Sequence, residues 1–190
     1  MQTVEQMKPD AVLIATGSSD AIPDIPGVKS ETVITQQDYL SRKVAVGKRV
    51  AIIGGAYGAE AAVSLAREGK EVTLLSELPA ESTGTTPYTF LDAGRIMMLQ
   101  GFIRESGIRL LPQVKAKEIT SKGVKYVGGD GGERTVYADT VILAVGRVPN
   151  KGLANAIAGK VPEVYEIGDC LEPRRIAAAI HDAAYFSREI

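Results

Sequence analysis

A glycine turn set between two apolar strands constrains this chain more than any other feature. Lys48 to Ile53 has the composition of a buried strand and ends at Gly54 and Gly55. Ala59, Ala62, Val63 and Ala66 then recur at i, i+3, i+4 and i+7, the period of an amphipathic helix with a small-residue face. Such a face can lie close against a sheet. Gly69 stops the helix, and Val72 to Leu75 forms the next strand. Strand, crossover helix and strand make a βαβ unit with parallel strands. In that setting a glycine turn can receive a phosphate. The first glycine allows a sharp bend, the missing side chains let the backbone approach a diphosphate, and the free N–H groups of the helix start attract the anion. Gly54, Gly55 and Gly58 take these places, and Tyr57 opens the helix.

The spacing of the turn, GGAYG, is one residue shorter than G-x-G-x-x-G. Either the loop is shortened or a residue is missing from the sequence. A helix-capping turn that holds no ligand is the plainer alternative. In dinucleotide sites an acid roughly 20 residues after the motif bonds the adenosine ribose, whereas an arginine there favours a 2′-phosphate. Ser76 ends the second strand and Glu77 follows it, and SELPAES carries two acids and no base. That segment repels an extra phosphate, so NAD(H) is favoured over NADP(H).

The remaining chain continues the alternation of strand and helix. Residues 10–16 form an apolar run closed by Gly17, as for a strand buried on both faces, followed by a linker with Pro23, Pro26 and Gly27. A polar loop over 81–87 leads to a helix over 93–106, with Ile96, Leu99 and Ile103 at helical spacing, and then to a strand at Ile108 to Leu111. Residues 114–137 have the β-prone pieces and GGDGG turn of a hairpin or small meander. Val141 to Val145 is another buried strand, followed by a Gly/Ala-rich connector. Val164–Ile167 and a terminal helix from about Pro173 close the chain.

Composition excludes several classes of function. With 45% hydrophobic and 24% charged residues and a net charge of −1, the chain reads as globular and lacks the basic excess of a nucleic-acid binder. No apolar run approaches the ~18 residues of a membrane span, and the N-terminus lacks the order of a signal peptide, which points to the cytoplasm. Cys170 is the single cysteine, so neither an internal disulfide nor a CxxC redox pair can form.

Taken in order, PDAVLIATG (9–17), the glycine loop through EGKEVTLLSE (68–77), ADTVILAVGRVPN (138–150) and YEIGDCLEPRRIAAAIHDA (165–183) resemble the two-dinucleotide-domain flavoproteins. The resemblance is strongest to the C-terminal FAD/NAD(P)-binding region of the 2,4-dienoyl-CoA reductase, 2-enoate reductase and trimethylamine dehydrogenase-like group. It implies an α/β fold in which a Rossmann-like NAD(P)H-binding domain, a parallel sheet plus a β-meander, is inserted between fragments of an FAD-binding domain. By it, residues 1–32 and 149–190 are the FAD-domain pieces and 33–148 the nicotinamide domain.

The same resemblance implies roles for individual residues. Thr16 and Gly17 match the flavin-side crossing, and Gly168 and Asp169 the motif that holds the FAD ribitol and phosphate region. Arg174 or Arg175 matches a basic position beside it. Glu60 stands where similar proteins place a carboxylate near the nicotinamide ribose or carboxamide, and Gly146 where the second crossing strand passes the cofactor. The FAD domain's own glycine fingerprint, an FMN barrel and iron–sulfur cysteines are absent from the sequence. FMN and a cluster are therefore possible only outside this chain, which reads as a piece or split subunit of a larger flavoenzyme that is not active alone.

The implied activity is passage of a hydride from NADH to FAD, for reduction of an enoate or enoyl-CoA-type substrate elsewhere in the enzyme; the alternative is a structural ADP-binding module. No residue of the chain need be catalytic, because the cofactors carry the chemistry, and no metal site is read. The remaining FAD-domain part and the substrate-reducing domain or subunit are the implied partners, and exposed apolar surface on the FAD pieces implies association. His181 beside Asp182 reads as a helix-surface residue and Cys170 as a small buried one. Arg42, Lys43, Lys48 and Arg49 read as a solvated face, and Met97 and Met98 as core.

Overall fold

The computed structural model describes residues 2–85 and 93–190. In chain order the first elements are α1 (Gln2–Met7), β1 (Ala11–Ile14), β2 (Ser18–Asp20), β3 (Val33–Thr35) and α2 (Gln36–Leu40). The glycine-turn region follows as β4 (Arg49–Ile53), α3 (Gly58–Arg67) and β5 (Glu71–Leu75). Next come α4 (Ala93–Glu105), β6 (Arg109–Leu111), β7 (Lys115–Thr120), β8 (Gly123–Val127), β9 (Glu133–Tyr137) and β10 (Thr140–Leu143). The chain closes with β11 (Arg147–Pro149), α5 (Gly152–Ile157), β12 (Glu163–Glu166) and α6 (Ile176–Phe186). Of the polar loop expected over 81–87, residues 86 and 87 lie outside the described residues.

These elements form two compact units, one of residues up to Ser19 together with Arg147–Ile190, the other of Asp20–Gly146. The second is continuous in sequence and interrupts the first, so they are called here the flanking and the inserted unit. The sequence reading placed the first boundary at 32/33, thirteen residues later than the 19/20 division. Residues 20–32 sit with the inserted unit because Ile25 and Val28 pack into its core, and the Ile119 amide donates to the Pro26 carbonyl at 2.8 Å.

The inserted unit is built on a five-stranded sheet of order β3-β10-β4-β5-β6, every pairing parallel. Both faces of its centre are covered. On one face α3 and α4 pack Ala59, Ala62, Leu65, Leu99 and Ile103 against Val50, Ile52, Leu74 and Ile142. On the other, the antiparallel sheet β7-β8-β9 brings Ile119, Val124, Tyr126 and Val136 against Ala51, Leu75, Val141 and Leu143. That sheet is the meander expected from residues 114–137. A Rossmann-like parallel sheet with a β-meander is therefore the architecture of this unit.

The flanking unit has far less to bury. Among the described residues its β1 pairs only with β12, in parallel, and β11 pairs with β2. Ile14, Ala154, Ile157 and Cys170 make its core. Two expectations are corrected here. The 10–16 run is not a strand buried on both faces, since Ile14 alone of β1 is buried and Leu13 is 39% exposed. The last helix begins at Ile176 rather than Pro173, because Arg175 has an extended backbone (φ −84, ψ 158) and the Arg174 amide donates to the Asp169 carboxylate. A third correction falls in α4, where Met97 and Met98 are 72% and 58% exposed. Leu99 and Ile103 take the buried stripe, and the two methionines lie off it. Among the described residues no helix is long and apolar enough to cross a membrane.

Candidate functional site

The glycine turn occupies the end of β4, beside the ends of β5 and β10. The chain closes it as the sequence stands: the Gly54 amide donates to the Leu75 carbonyl at 3.0 Å, the Gly58 amide to the Gly54 carbonyl at 2.9 Å, and α3 starts at Gly58. Each glycine is required by what stands beside it. Gly54 has φ +122, and a Cβ there would lie 2.1 Å from the Ala144 carbonyl oxygen. A Cβ on Gly55 would lie 2.1 Å from the Ser76 Oγ, and one on Gly58 2.6 Å from the Ile52 Cγ2. The last contact lets α3 sit close on the sheet. The Tyr57 carbonyl takes a hydrogen bond from the Gln36 Nε2 at 3.1 Å, and the Gly55 carbonyl takes one from the Gly84 amide at 2.9 Å.

A cavity of about 280 Å³ opens beside this turn. Gly54, Gly55, Tyr57 and Glu77 line it together with apolar walls from Ile53, Leu75, Val114 and Val145. Gly146, φ +136, follows Val145 and stands beside Tyr57, a Cβ there being 3.7 Å from Tyr57 Cε2. Ser76 is fully buried, and its hydroxyl accepts from the Leu78 amide at 3.1 Å and donates to the Leu78 carbonyl at 3.2 Å. It closes its own turn, while its exposed neighbour Glu77 faces the cavity. Glu60, in the first turn of α3, is not among the lining residues; it is paired with Arg95 at 2.5 Å.

The flanking unit carries a second cavity, of about 480 Å³, lined by Thr16, Gly17, Ser18, Arg147, Gly168 and Asp169 among others. Gly17 and Gly168 adopt φ +68 and +62, and a Cβ on Gly168 would lie 3.2 Å from the Ala179 Cβ. The Asp169 carboxylate is fixed on both oxygens: Oδ2 accepts from the Ser18 hydroxyl at 2.8 Å and Oδ1 from the Arg174 amide at 3.3 Å. The Arg147 guanidinium holds Ser18, donating to its Oγ at 2.7 Å and its carbonyl at 2.6 Å. Arg174 donates to the Asp182 carboxylate at 2.5 Å, and the same Oδ2 accepts the Gly168 amide at 3.0 Å. Arg175 is exposed at the start of α6. His181 is exposed, and its neighbour Asp182 is engaged with Arg174 and Gly168. Cys170 is fully buried, with the Thr16 hydroxyl donating to its sulfur at 3.2 Å.

Of the basic residues near β4, Lys48 pairs with Glu71 at 2.9 Å and Arg49 with Asp139 at 2.5 Å. The Arg49 guanidinium, helped by the Arg49 amide, holds the Asp139 carboxyl down at about 2. All four of Arg42, Lys43, Lys48 and Arg49 are exposed.

The profile of the pyridine nucleotide-disulphide oxidoreductases matches residues 2–183 of this chain. The chain belongs to that family. A metal reductase of Desulforamulus reducens is 31% identical over 96% of the chain and 31% of its own length. An NADH oxidase of Thermoanaerobacter brockii is 32% identical over 94% of the chain and 28% of its own. Among solved structures, a 2-naphthoyl-CoA reductase superposes on the whole chain with TM-score 0.86 and 30% identity, covering 28% of that enzyme's chain. Such neighbours are two-dinucleotide-domain flavoproteins of the 2,4-dienoyl-CoA reductase and trimethylamine dehydrogenase type, as the motifs indicated. The chain spans less than a third of the length of these three relatives.

The structure thus gathers eight of the fourteen predicted residues into two places, and Gly58, Glu60, Ser76, Gly146, Arg174 and Arg175 line neither cavity. Gly54, Gly55, Tyr57 and Glu77 meet at one cavity, and Thr16, Gly17, Gly168 and Asp169 at the other. Sequence reasoning missed Gln36, Ser18, Arg147 and Arg95, which fix these groups from elsewhere in the chain. One signal was available: Ser18 directly follows the Gly17 turn, and Arg147 directly follows Gly146.

Proposed function

We propose that the inserted unit binds NADH in preference to NADPH, and that its hydride passes to FAD held in part by the flanking unit. The electrons then serve reduction of an enoate or enoyl-CoA-type substrate elsewhere in a larger enzyme. The observation that carries this reading is the cavity at the strand ends, where the glycine turn, an apolar wall for a base and the Glu77 carboxylate stand together. Glu77 would accept from the adenosine ribose and repel a 2′-phosphate. Gly54 and Gly55 would leave room for a diphosphate at the α3 N-terminus. When bound, nicotinamide and flavin supply the hydride chemistry, and the residues of this chain bind, orient and exclude water. Thr16, Gly17, Gly168 and Asp169 would hold the flavin's ribityl and phosphate region, with Arg174 acting through Asp182 and Arg175 at the rim.

A second reading is a structural ADP-binding module. It is favoured by the size of the cavity, about 280 Å³, just below the roughly 300 Å³ at which ligand pockets begin. Such a space suits one nucleoside. Calorimetric titration with NADH, NADPH and ADP separates the two readings. The NADH reading expects NADH to bind more tightly than ADP, NADPH about tenfold more weakly than NADH, and Glu77→Gln to narrow that gap. Binding of neither dinucleotide at millimolar concentration overturns it. ADP binding as tightly as NADH, with Glu60→Ala changing neither, establishes the structural module instead.

A further inference from the structure

Glu60, which the family resemblance puts near the nicotinamide and which stands outside the cavity lining, has a side chain 65% exposed. Such a side chain samples many rotamers unless something holds it, and ordering it on binding weakens affinity. Arg95, at the start of α4, holds it, the Nη1 donating to the Glu60 Oε1 at 2.5 Å. The other arm of the guanidinium reaches the Gly84 carbonyl at 3.5 Å. Gly84 is itself fastened to the glycine turn, its amide donating to the Gly55 carbonyl at 2.9 Å. A relay of Gly55, Gly84, Arg95 and Glu60 therefore ties the acid to the turn that would receive the cofactor.

This relay is poorly explained as a device for stability. An ion pair this exposed contributes little in water, and α4 is already docked on α3 by Leu99 and Ile103 packed in the same core as Ala59 and Val63. What the pair fixes is the direction of one carboxylate. We infer that Arg95 is a positioning residue for cofactor binding: it presents the Glu60 carboxylate, already oriented, to the nicotinamide half of the dinucleotide and leaves the ADP half untouched. The inference rests on the NADH reading above and adds the residue that makes Glu60 effective.

Dissociation constants for NADH and for ADP, measured by calorimetry on the chain and on Arg95→Met, Arg95→Lys, Glu60→Gln and the Arg95→Met/Glu60→Gln double variant, test it. Arg95→Met is expected to weaken NADH about three- to tenfold, the equivalent of one freed side chain, with ADP within about twofold and the melting temperature close to unchanged. Arg95→Lys retains most of the affinity, and in the Glu60→Gln background Arg95→Met does nothing further. Should Met disturb α4 and lower the melting temperature, Arg95→Gln serves in its place.

Equal losses of NADH and ADP affinity would overturn the inference in favour of a direct diphosphate contact. Tighter NADH binding in Arg95→Met would make the pair a latch that withholds Glu60. An unchanged loss in the Glu60→Gln background would show that Arg95 does not act through Glu60. If the unaltered chain binds NADH no better than ADP, the NADH reading fails and the inference falls with it. If NADH binds better than ADP and Arg95→Met changes nothing, the Arg95 inference fails alone.

Discussion

In the inserted unit, β4 has a hydrogen-bonded neighbour on each side and packed layers on both faces, and four of its five residues are buried. In the flanking unit, β1 has one neighbour and a single buried residue. The helices differ in the same way. α3 buries six residues against the sheet, whereas α6, the more apolar helix by composition, buries none and leaves Ile176, Ile180 and Tyr185 at 82%, 60% and 61% exposure. Apolar content therefore does not decide burial here; the number of strands and layers offered to it does.

The comparison is broken most directly in the core of the inserted unit. Leu74, fully buried in β5, lies under α3. Leu74→Ala is expected to destabilise by about 3 kcal/mol, from lost transfer energy plus the cavity left behind, read as a shift in the urea midpoint. A loss under about 0.5 kcal/mol would mean that this core is no better packed than the flanking one. Gly54→Ala comes next. It forces a Cβ to within 2.1 Å of a backbone oxygen at φ +122, a strain of about 2 kcal/mol, and it should abolish nucleotide binding before it unfolds the chain.

On the flanking side the same kind of change has little to remove. Ile180→Ser should alter stability by less than about 0.5 kcal/mol, while moving elution on sizing chromatography toward the monomer, since it takes away part of an exposed apolar face. A large destabilisation would show that α6 is covered. The smallest effect is electrostatic. Because Arg49 depresses the Asp139 carboxyl from 3.8 to about 2, the pair stabilises the fold above pH ~4 and loses that contribution as pH falls through ~2. The stability difference between the chain and Asp139→Asn should be flat from neutral pH down to pH ~4, shrink between ~4 and ~2, and vanish below that.

The parts legible in sequence were those with a period or a forced residue. β4, the glycine turn, α3 and β5 declared themselves through helical spacing and through glycines that the backbone cannot replace. Short elements did not: β3, α2 and α5 have three, five and six residues, too few for a period to show. The capping box that starts α2, Thr35 with Asp38, was visible as T-x-x-D and was the one available signal. The apolar run at β1 recorded a preference for burial without saying how many neighbours would provide it. In the sites, Gly54, Gly55 and Gly58 were readable from their strand–turn–helix setting, and Gly17, Gly168 and Asp169 through the family resemblance. Arg147 and Ser18 were not, because the pair that fixes Asp169 is joined across 129 residues. The role of Arg95 was hidden for the same reason, its partner Glu60 being 35 residues away on another helix.

The contact between Gly55 and Ser76 bears on how this site can be changed. Position 76, at the end of β5, is where the proposed dinucleotide site would take an acid or a base to set its choice of cofactor. Here its hydroxyl already lies where a side chain on Gly55 would begin, 2.1 Å from that Cβ position, and the residue is wholly buried. The two positions share one volume, so a larger residue at 76 must displace the glycine turn itself. If the inserted unit binds a dinucleotide as proposed, its cofactor preference would be adjustable at Glu77, on the open side of the strand end, and locked at its neighbour.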